Sequence, residues 1–288
     1  MALAWPWHFV TLSEAEKEQR RELLDLRGSY AQYSMLLAIL LVRLYTWVFQ
    51  SGNEPPKPNR RKPLAKSWLD SPPFAGWIET RRQYLVCSIW LMWLLCLCIW
   101  NSGDDYLHLT KSLGHVALSQ FPFQILMSPP LYLTSTPASP SLISVLTTIP
   151  QPTINAYHRL FGRLVIAPLL VSHALLYDSF FLQTPHPEFG ILFAKRIRDA
   201  DVQWGILGVV AFTSVVLFAR PAVKPRWAMS LRSGSGSARA RQQVFWAVHV
   251  GLVVVLGVAA YSHVQWARLY MIEGLVGSMA NVGCGLFL

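Results

Sequence analysis

Apolar residues run along this chain in long stretches that are separated by short polar or basic segments. A run of about 20 apolar residues is long enough to cross a bilayer as a helix. Such runs predict helices at about 31–49, 84–100, 113–133, 158–177, 204–218 and 245–263, with a seventh candidate at 269–288. The stretch 135–152 is rich in Ser, Thr and Pro and is predicted to be a loop without a helix. The predicted fold class is therefore an all-α, polytopic membrane helix bundle with six to seven transmembrane helices.

The same pattern divides the chain into three parts. Residues 1–30 form a polar N-terminal segment, in which Ser13 and Glu16 have the spacing of a helix-capping box. Residues 31–108 contain the first two predicted spans and a basic loop between them, and residues 109–288 contain the remaining spans.

Composition and charge support the membrane interpretation. Hydrophobic residues make up 53% of the chain, charged residues make up 14%, and the mean hydropathy is +0.33. The net charge of +10 could suggest a nucleic-acid partner, but the basic residues cluster in loops beside the apolar stretches. By the positive-inside rule, loops 50–82 and 220–241 face the cytoplasm, whereas the basic loop 178–202 falls on the far side and departs from the rule. We therefore expect membrane lipid around the chain and no nucleic acid.

Two of the predicted spans carry a histidine near each end, His158 and His173 in one and His249 and His263 in the other. A single histidine in a membrane span is more often a hydrogen-bonding residue, but that explanation does not account for two spans with two histidines each. A separation of 14 residues leaves the second side chain about 40° short of four helical turns, and one of 15 residues carries it about 60° past them. Each pair therefore lies roughly on one helix face, with its members roughly 21 to 22 Å apart along the axis.

This arrangement predicts two haem groups stacked between the two helices at two depths. Each helix would give one axial nitrogen to each iron, and an iron with both axial positions filled by protein is suited to single-electron transfer. Pro168 lies between His158 and His173, where a proline kinks a helix or accommodates one extra residue as a bulge. Such a bulge would align these two histidines better. His108 and His115 lack a partner at this spacing, and His115 is predicted to be a hydrogen-bonding residue.

The sequence around these histidines resembles a known family. The residues in question are the run KSLGHVALSQFPFQILMSPP, the motif N-x-x-HR-x-x-GR followed by a downstream His and Tyr177, and the second His pair ending in HVQWARLY. Over roughly 109–270 the chain is similar to the membrane domain of fungal ferric and cupric reductases and, more distantly, of NADPH oxidases. That family moves electrons from cytosolic NADPH through FAD and two haems to a metal ion or oxygen on the far side.

The resemblance implies that residues 109–288 form a haem-binding transmembrane domain with two haem b groups. His158 and His249 would ligate the inner haem iron, and His173 and His263 the outer one. Arg159 and Arg163 follow the first histidine closely, and cations there either bind the haem propionates or anchor the helix at the interface. Both possibilities stay open.

The chain has no Gly-rich nucleotide-binding motif after a strand and no soluble stretch long enough for a flavin or nicotinamide domain. FAD and NADPH are therefore expected only through a separate flavoprotein at the cytoplasmic face. The expected function is that of a membrane oxidoreductase that passes electrons to a metal ion or a small-molecule acceptor. The alternative is a divergent or truncated, non-catalytic homologue that acts as a scaffold or accessory subunit.

Overall fold

The computed structural model describes residues 7–8, 10–50, 67–131, 136, 138–183, 189–218 and 235–287, and the regular elements within these ranges are helices. In chain order they are α1 (Glu14–Gln50), a 3₁₀ turn (Trp68–Asp70), α2 (Arg81–Ile99), α3 (Tyr106–Ser119), α4 (Phe121–Leu126), α5 (Leu142–Thr147), α6 (Gln151–Phe161), a π-helical turn (Gly162–Ile166), α7 (Ala167–Gln183), α8 (Phe189–Arg196), α9 (Ala200–Phe218), α10 (Ser235–His263) and α11 (Ala267–Phe287).

Six helical segments of the described chain are long and apolar enough to cross a membrane: α1, α2, the continuous segment from α6 through α7, α9, α10 and α11. Large apolar side chains such as Leu36, Leu40 and Trp47 point outward from α1, with more than half of their surface exposed. Lipid tails are as apolar as leucine, so these side chains are suited to contact with lipid. The predicted all-α membrane bundle is confirmed.

The helix α1 begins at the predicted capping box. The Ser13 N–H donates to Glu16 Oε2 at 2.7 Å, and the Glu16 N–H donates to Ser13 Oγ at 3.4 Å. From there the helix continues without a break for 37 residues. The polar N-terminal segment and the first predicted span therefore form one helix.

The prediction of a continuous third span over 113–133 is wrong. The chain forms α3 and α4 there, with a break at Gln120, and residues 132–133 lie outside the described part. Pro122 lies in the first turn of α4 and has no backbone N–H with which to extend the ladder of α3. Ten of the fourteen residues of α3 are buried, because α3 packs against α1, α2 and α7.

The prediction that 135–152 holds no helix is also wrong, because α5 lies within it. Ser141 caps the first turn of α5, and the Leu142 N–H donates to Asn281 Oδ1 at 2.8 Å. Asn281 lies on α11, and its Nδ2 also donates to the carbonyls of Ile125 and Ser128. A buried amide from a distant helix thus holds this short helix in place.

The predicted bulge before Pro168 is present. In the π-helical turn Gly162–Ile166, the Ala167 N–H donates to the Gly162 carbonyl, five residues earlier. Pro168 has no N–H to donate to the carbonyl four residues before it, which favours such an irregular turn. Because the turn absorbs one residue, the 15-residue separation of His158 and His173 spans the helical length of about 14 residues, as between His249 and His263.

Candidate functional site

In the structure, the imidazole of His158 on α6 lies next to the imidazole of His249 on α10. Their ring centroids lie 6.4 Å apart, and the ring planes are inclined by 68°. Two metal–imidazole bonds of about 2.0 Å each, together with about 1.1 Å from each ring centre to its nitrogen, give a centroid separation of about 6 Å. The observed separation fits one iron between the two rings.

His158 is held by Gln124 of α4 through two hydrogen bonds. Nδ1 of His158 donates to the Gln124 carbonyl at 2.9 Å, and Gln124 Nε2 donates to the His158 carbonyl at 2.8 Å. A carbonyl only accepts, so Nδ1 carries the proton and Nε2 is left as the ligand nitrogen. The Gln124 carbonyl is available because α4 ends at Leu126, and the Ser128 N–H donates to the Ile125 carbonyl instead.

His173 and His263 are oriented in the same way. Nδ1 of His173 donates to the Thr110 carbonyl of α3 at 2.8 Å, and Nδ1 of His263 donates to the Asp201 carbonyl of α9 at 2.6 Å. The two imidazoles also lie close enough to interact electrostatically. Each histidine of the predicted outer pair therefore has Nε2 left as the ligand nitrogen.

A glycine lies four residues after each of these accepting carbonyls, Gly114 after Thr110 and Gly205 after Asp201. A Cβ on Gly114 would lie 3.0 Å from Cγ of His173, and one on Gly205 would lie 2.8 Å from Cε1 of His263. A helical carbonyl points toward the residue four positions later, so a side chain there would obstruct the imidazole. We call each carbonyl with its glycine a carbonyl–glycine seat. The sequence interpretation missed both seats, although the i, i+4 spacing in T-K-S-L-G and D-V-Q-W-G was visible.

His249 differs from the other three histidines. Its Nδ1 is buried and has no hydrogen-bond partner among the described residues. The ring of Phe245, one turn earlier on α10, stacks on the His249 ring with centroids 5.6 Å apart and planes inclined by 26°. The orientation of His249 therefore depends on packing, whereas the others are fixed by backbone hydrogen bonds.

The two arginines that follow His158 lie beside a buried carboxylate. Nε of Arg159 donates to Glu79 Oε1 at 3.2 Å, and Glu79 is only 1% exposed. Arg163 lies within electrostatic range of the same carboxylate, whose Oε2 has no hydrogen-bond partner. Arg159 thus already has a protein partner, and the assignment of both arginines to haem propionates stays a prediction. The sequence interpretation did not identify Glu79.

A second buried polar cluster joins α1, α3 and α11. As predicted, His115 is a hydrogen-bonding residue, because its Nε2 lies 2.9 Å from the Tyr270 hydroxyl. Arg27 is fully buried and reaches both His108 Nε2, at 2.9 Å, and the Trp100 carbonyl. This cluster fixes α1 and α11 to the central helix α3.

These observations are compatible with bis-histidine haem ligation. The ring centroids of His158 and His249 leave room for one iron, and three of the four rings have Nδ1 bonded to a carbonyl. Within the described residues, no group of three or more His, Cys, Asp or Glu side chains could hold a metal ion. Because haem iron needs only two protein nitrogens, pairs of histidines are the appropriate donor set.

Comparison with known protein families matches residues 113–260 to the family described as ferric reductase like transmembrane component. The match extends from α3 into α10 and contains His158, His173 and His249, while His263 lies just beyond it. No curated protein and no solved structure matches the chain. Since the matched region covers half of the chain and six helices are able to span a membrane, this integral multi-pass membrane protein belongs to the family of ferric reductase-like transmembrane components.

Proposed function

We propose that this chain is the membrane component of an oxidoreductase and carries single electrons across the bilayer. His158 and His249 would ligate an inner haem b, and His173 and His263 an outer one. Bound haem would supply a one-electron carrier at each depth.

The residues of the chain position the ligands in this proposal. The carbonyls of Gln124, Thr110 and Asp201 fix the tautomer and the ring plane of three histidines before any cofactor binds. Gly114 and Gly205 allow the rings to approach those carbonyls closely. Such preorganisation is what a site needs in order to bind a rigid planar group.

The observation that carries the proposal is the separation of 6.4 Å between the His158 and His249 ring centroids. Packed aromatic rings also lie 4.5 to about 7 Å apart, so this separation supports the proposal only together with the hydrogen bonds that orient the rings. The backbone bonds to Nδ1 support the same interpretation, because they direct Nε2 of each ring away from its support.

Electrons would enter at the cytoplasmic face from a separate flavoprotein that carries FAD and oxidises NADPH. They would leave on the far side to a metal ion or a small-molecule acceptor. Family membership supports this direction of transfer, and the basic loops at 50–82 and 220–241 support the orientation of the chain.

The test is a reduced-minus-oxidised absorbance spectrum of the detergent-purified protein, together with its haem stoichiometry. We expect two low-spin, six-coordinate haems per chain that dithionite reduces. Replacement of His173 or His263 by Ala should remove mainly the outer haem, and replacement of His158 or His249 mainly the inner one. If gently purified protein from haem-supplemented cells carries no haem, the non-catalytic scaffold is the better interpretation.

A further inference from the structure

The side chain of Arg196, at the end of α8, joins three residues at the far-side end of the outer histidine pair. Nη1 donates to Asp199 Oδ2 at 2.5 Å, while Nη2 donates to Asp201 Oδ2 at 3.2 Å and to the Tyr177 hydroxyl at 3.5 Å. Tyr177 lies on α7 and Asp201 in the first turn of α9. One guanidinium therefore connects the ends of three helices.

Tyr177 and Asp201, the helix residues bound by Arg196, each lie next to one of the outer histidines. Tyr177 is one helical turn after His173, and the centroids of the two rings lie 6.4 Å apart. Asp201 contacts Arg196 through its carboxylate and His263 Nδ1 through its backbone carbonyl. A shift of Arg196 would therefore be passed to His173 through Tyr177 and to His263 through Asp201.

The electrostatic setting keeps Arg196 charged. The hydrogen bond to Tyr177 and the neighbouring carboxylates of Asp201 and Asp199 raise the pKa of its guanidinium further above the usual value. A planar guanidinium offers several N–H donors in fixed directions, so it can hold two carboxylates and a hydroxyl at once, whereas an ammonium group is a point charge.

We infer that Arg196 is a positioning residue, which sets the separation and relative angle of His173 and His263. This inference rests on the proposed function, because the outer pair is an iron ligand pair only in that proposal. It also gives a reason for an arginine in a far-side loop, where the positive-inside rule does not favour one.

The experiment compares Arg196→Gln with Arg198→Gln in the full chain. Both changes remove one positive charge from the same short segment, but the exposed Arg198 side chain makes no hydrogen bond or ion pair with the described residues. The readouts are the electron paramagnetic resonance spectrum of each ferric haem and the rate at which each haem is lost on dilution. The inner haem serves as an internal control for folding.

We expect Arg196→Gln to shift the resonance of the outer haem and to accelerate its loss several-fold, with the inner haem unchanged. Arg196→Lys should give an intermediate effect, Tyr177→Phe a smaller shift, and Arg198→Gln no change. If Arg196→Gln and Arg198→Gln give the same spectra and loss rates while both haems are bound, Arg196 is not a positioning residue. A parent protein without haem would instead overturn the proposed function, so the two failures can be told apart.

Discussion

At the scale of single residues, a carbonyl–glycine seat orients each histidine of the predicted outer pair. Each seat needs a backbone carbonyl as acceptor and the absence of a side chain one turn later. Neither requirement involves a charged or reactive side chain. A search of the sequence for chemically active side chains therefore does not identify a seat.

Gly205→Ala tests the seat of His263. The added Cβ would lie 2.8 Å from Cε1 and 2.9 Å from Nδ1 of the imidazole, so the ring must move away from the Asp201 carbonyl. We expect about tenfold weaker retention of the outer haem, the loss typical of a damaged support around a metal ligand. The measurement is haem stoichiometry after dialysis against apomyoglobin.

Gly251→Ala is the matched control. A Cβ at this exposed position on α10 would meet nothing within 4 Å. Alanine favours a helix over glycine by about 1 kcal/mol, so both substitutions should stabilise the helix itself. Equal haem retention in the two variants would contradict the role of the seat.

The unpartnered Nδ1 of His249 predicts different reduction potentials for the two haems. Donation of Nδ1–H to a carbonyl makes an imidazole a stronger electron donor, which favours ferric iron. The outer pair has two such bonds, whereas the inner pair has one. We therefore expect the outer haem to have the lower midpoint potential, so that the proposed step from the inner to the outer haem is uphill and depends on the acceptor to remove electrons from the outer haem.

Potentiometric titration of two single variants separates these haems. The variant His158→Ala should retain the outer haem, and His173→Ala should retain the inner one. An outer potential equal to or above the inner one would show that the hydrogen bonds to Nδ1 do not set the order.

The close approach of His158 to His249 and the hydrogen-bonding role of His115 could be predicted from the sequence, because they depend on residue type and helical spacing. Gln124, Thr110 and Asp201 could not be predicted, since each acts through its backbone carbonyl. A carbonyl is present at every position, so only packing decides which one reaches an imidazole.

At the scale of elements, two prolines interrupt regular helices, and only the effect of Pro168 was considered from the sequence. A bulge before Pro168 was considered from the sequence, because one extra residue there would align the two histidines on either side of it. Pro122 is just as visible in the sequence, but the uniform apolar pattern from 113 onward concealed the break that it marks. The helix α5 could not be predicted, since its first N–H is satisfied by Asn281 of α11.

Deletion of one residue from the π-helical turn tests its role in alignment. Removal of Leu164 should convert the turn to regular α-helix and leave the part that carries His173 in its present orientation. Removal of Val254, an exposed residue between the histidines of α10, should rotate His263 by about 100° relative to His249. We expect two haems in the first variant and loss of the outer haem in the second, measured by haem stoichiometry. Loss of the outer haem in both deletions would mean that the turn is not an alignment device.

At the scale of the whole molecule, the two histidine-bearing segments run in the same direction through the bundle. The first histidine of one segment lies against the first histidine of the other. The number of spans could be predicted from apolar length, and their direction stays a prediction from loop charge. The packing of α9 along α10 and of α3 along α7 could not, because apolar surfaces in lipid carry little information about their neighbours.

If the two histidine-bearing segments are parallel, His158 and His249 share one iron, and His173 and His263 share the other. If His158 and His249 bind the same haem, the double variant in which both are replaced by Ala should lose no more haem than either single variant. A double variant that combines His158→Ala with His263→Ala should lose both haems, because it removes one ligand from each depth. Such non-additivity is the expected result for residues that act on one group, whereas changes at independent sites add. Haem stoichiometry and difference spectra of the six variants, four single and two double, measure this directly. The opposite pattern, with a single haem in the His158/His263 variant and none in the His158/His249 variant, would require the segments to be antiparallel and would contradict both the orientation and the ligand pairs.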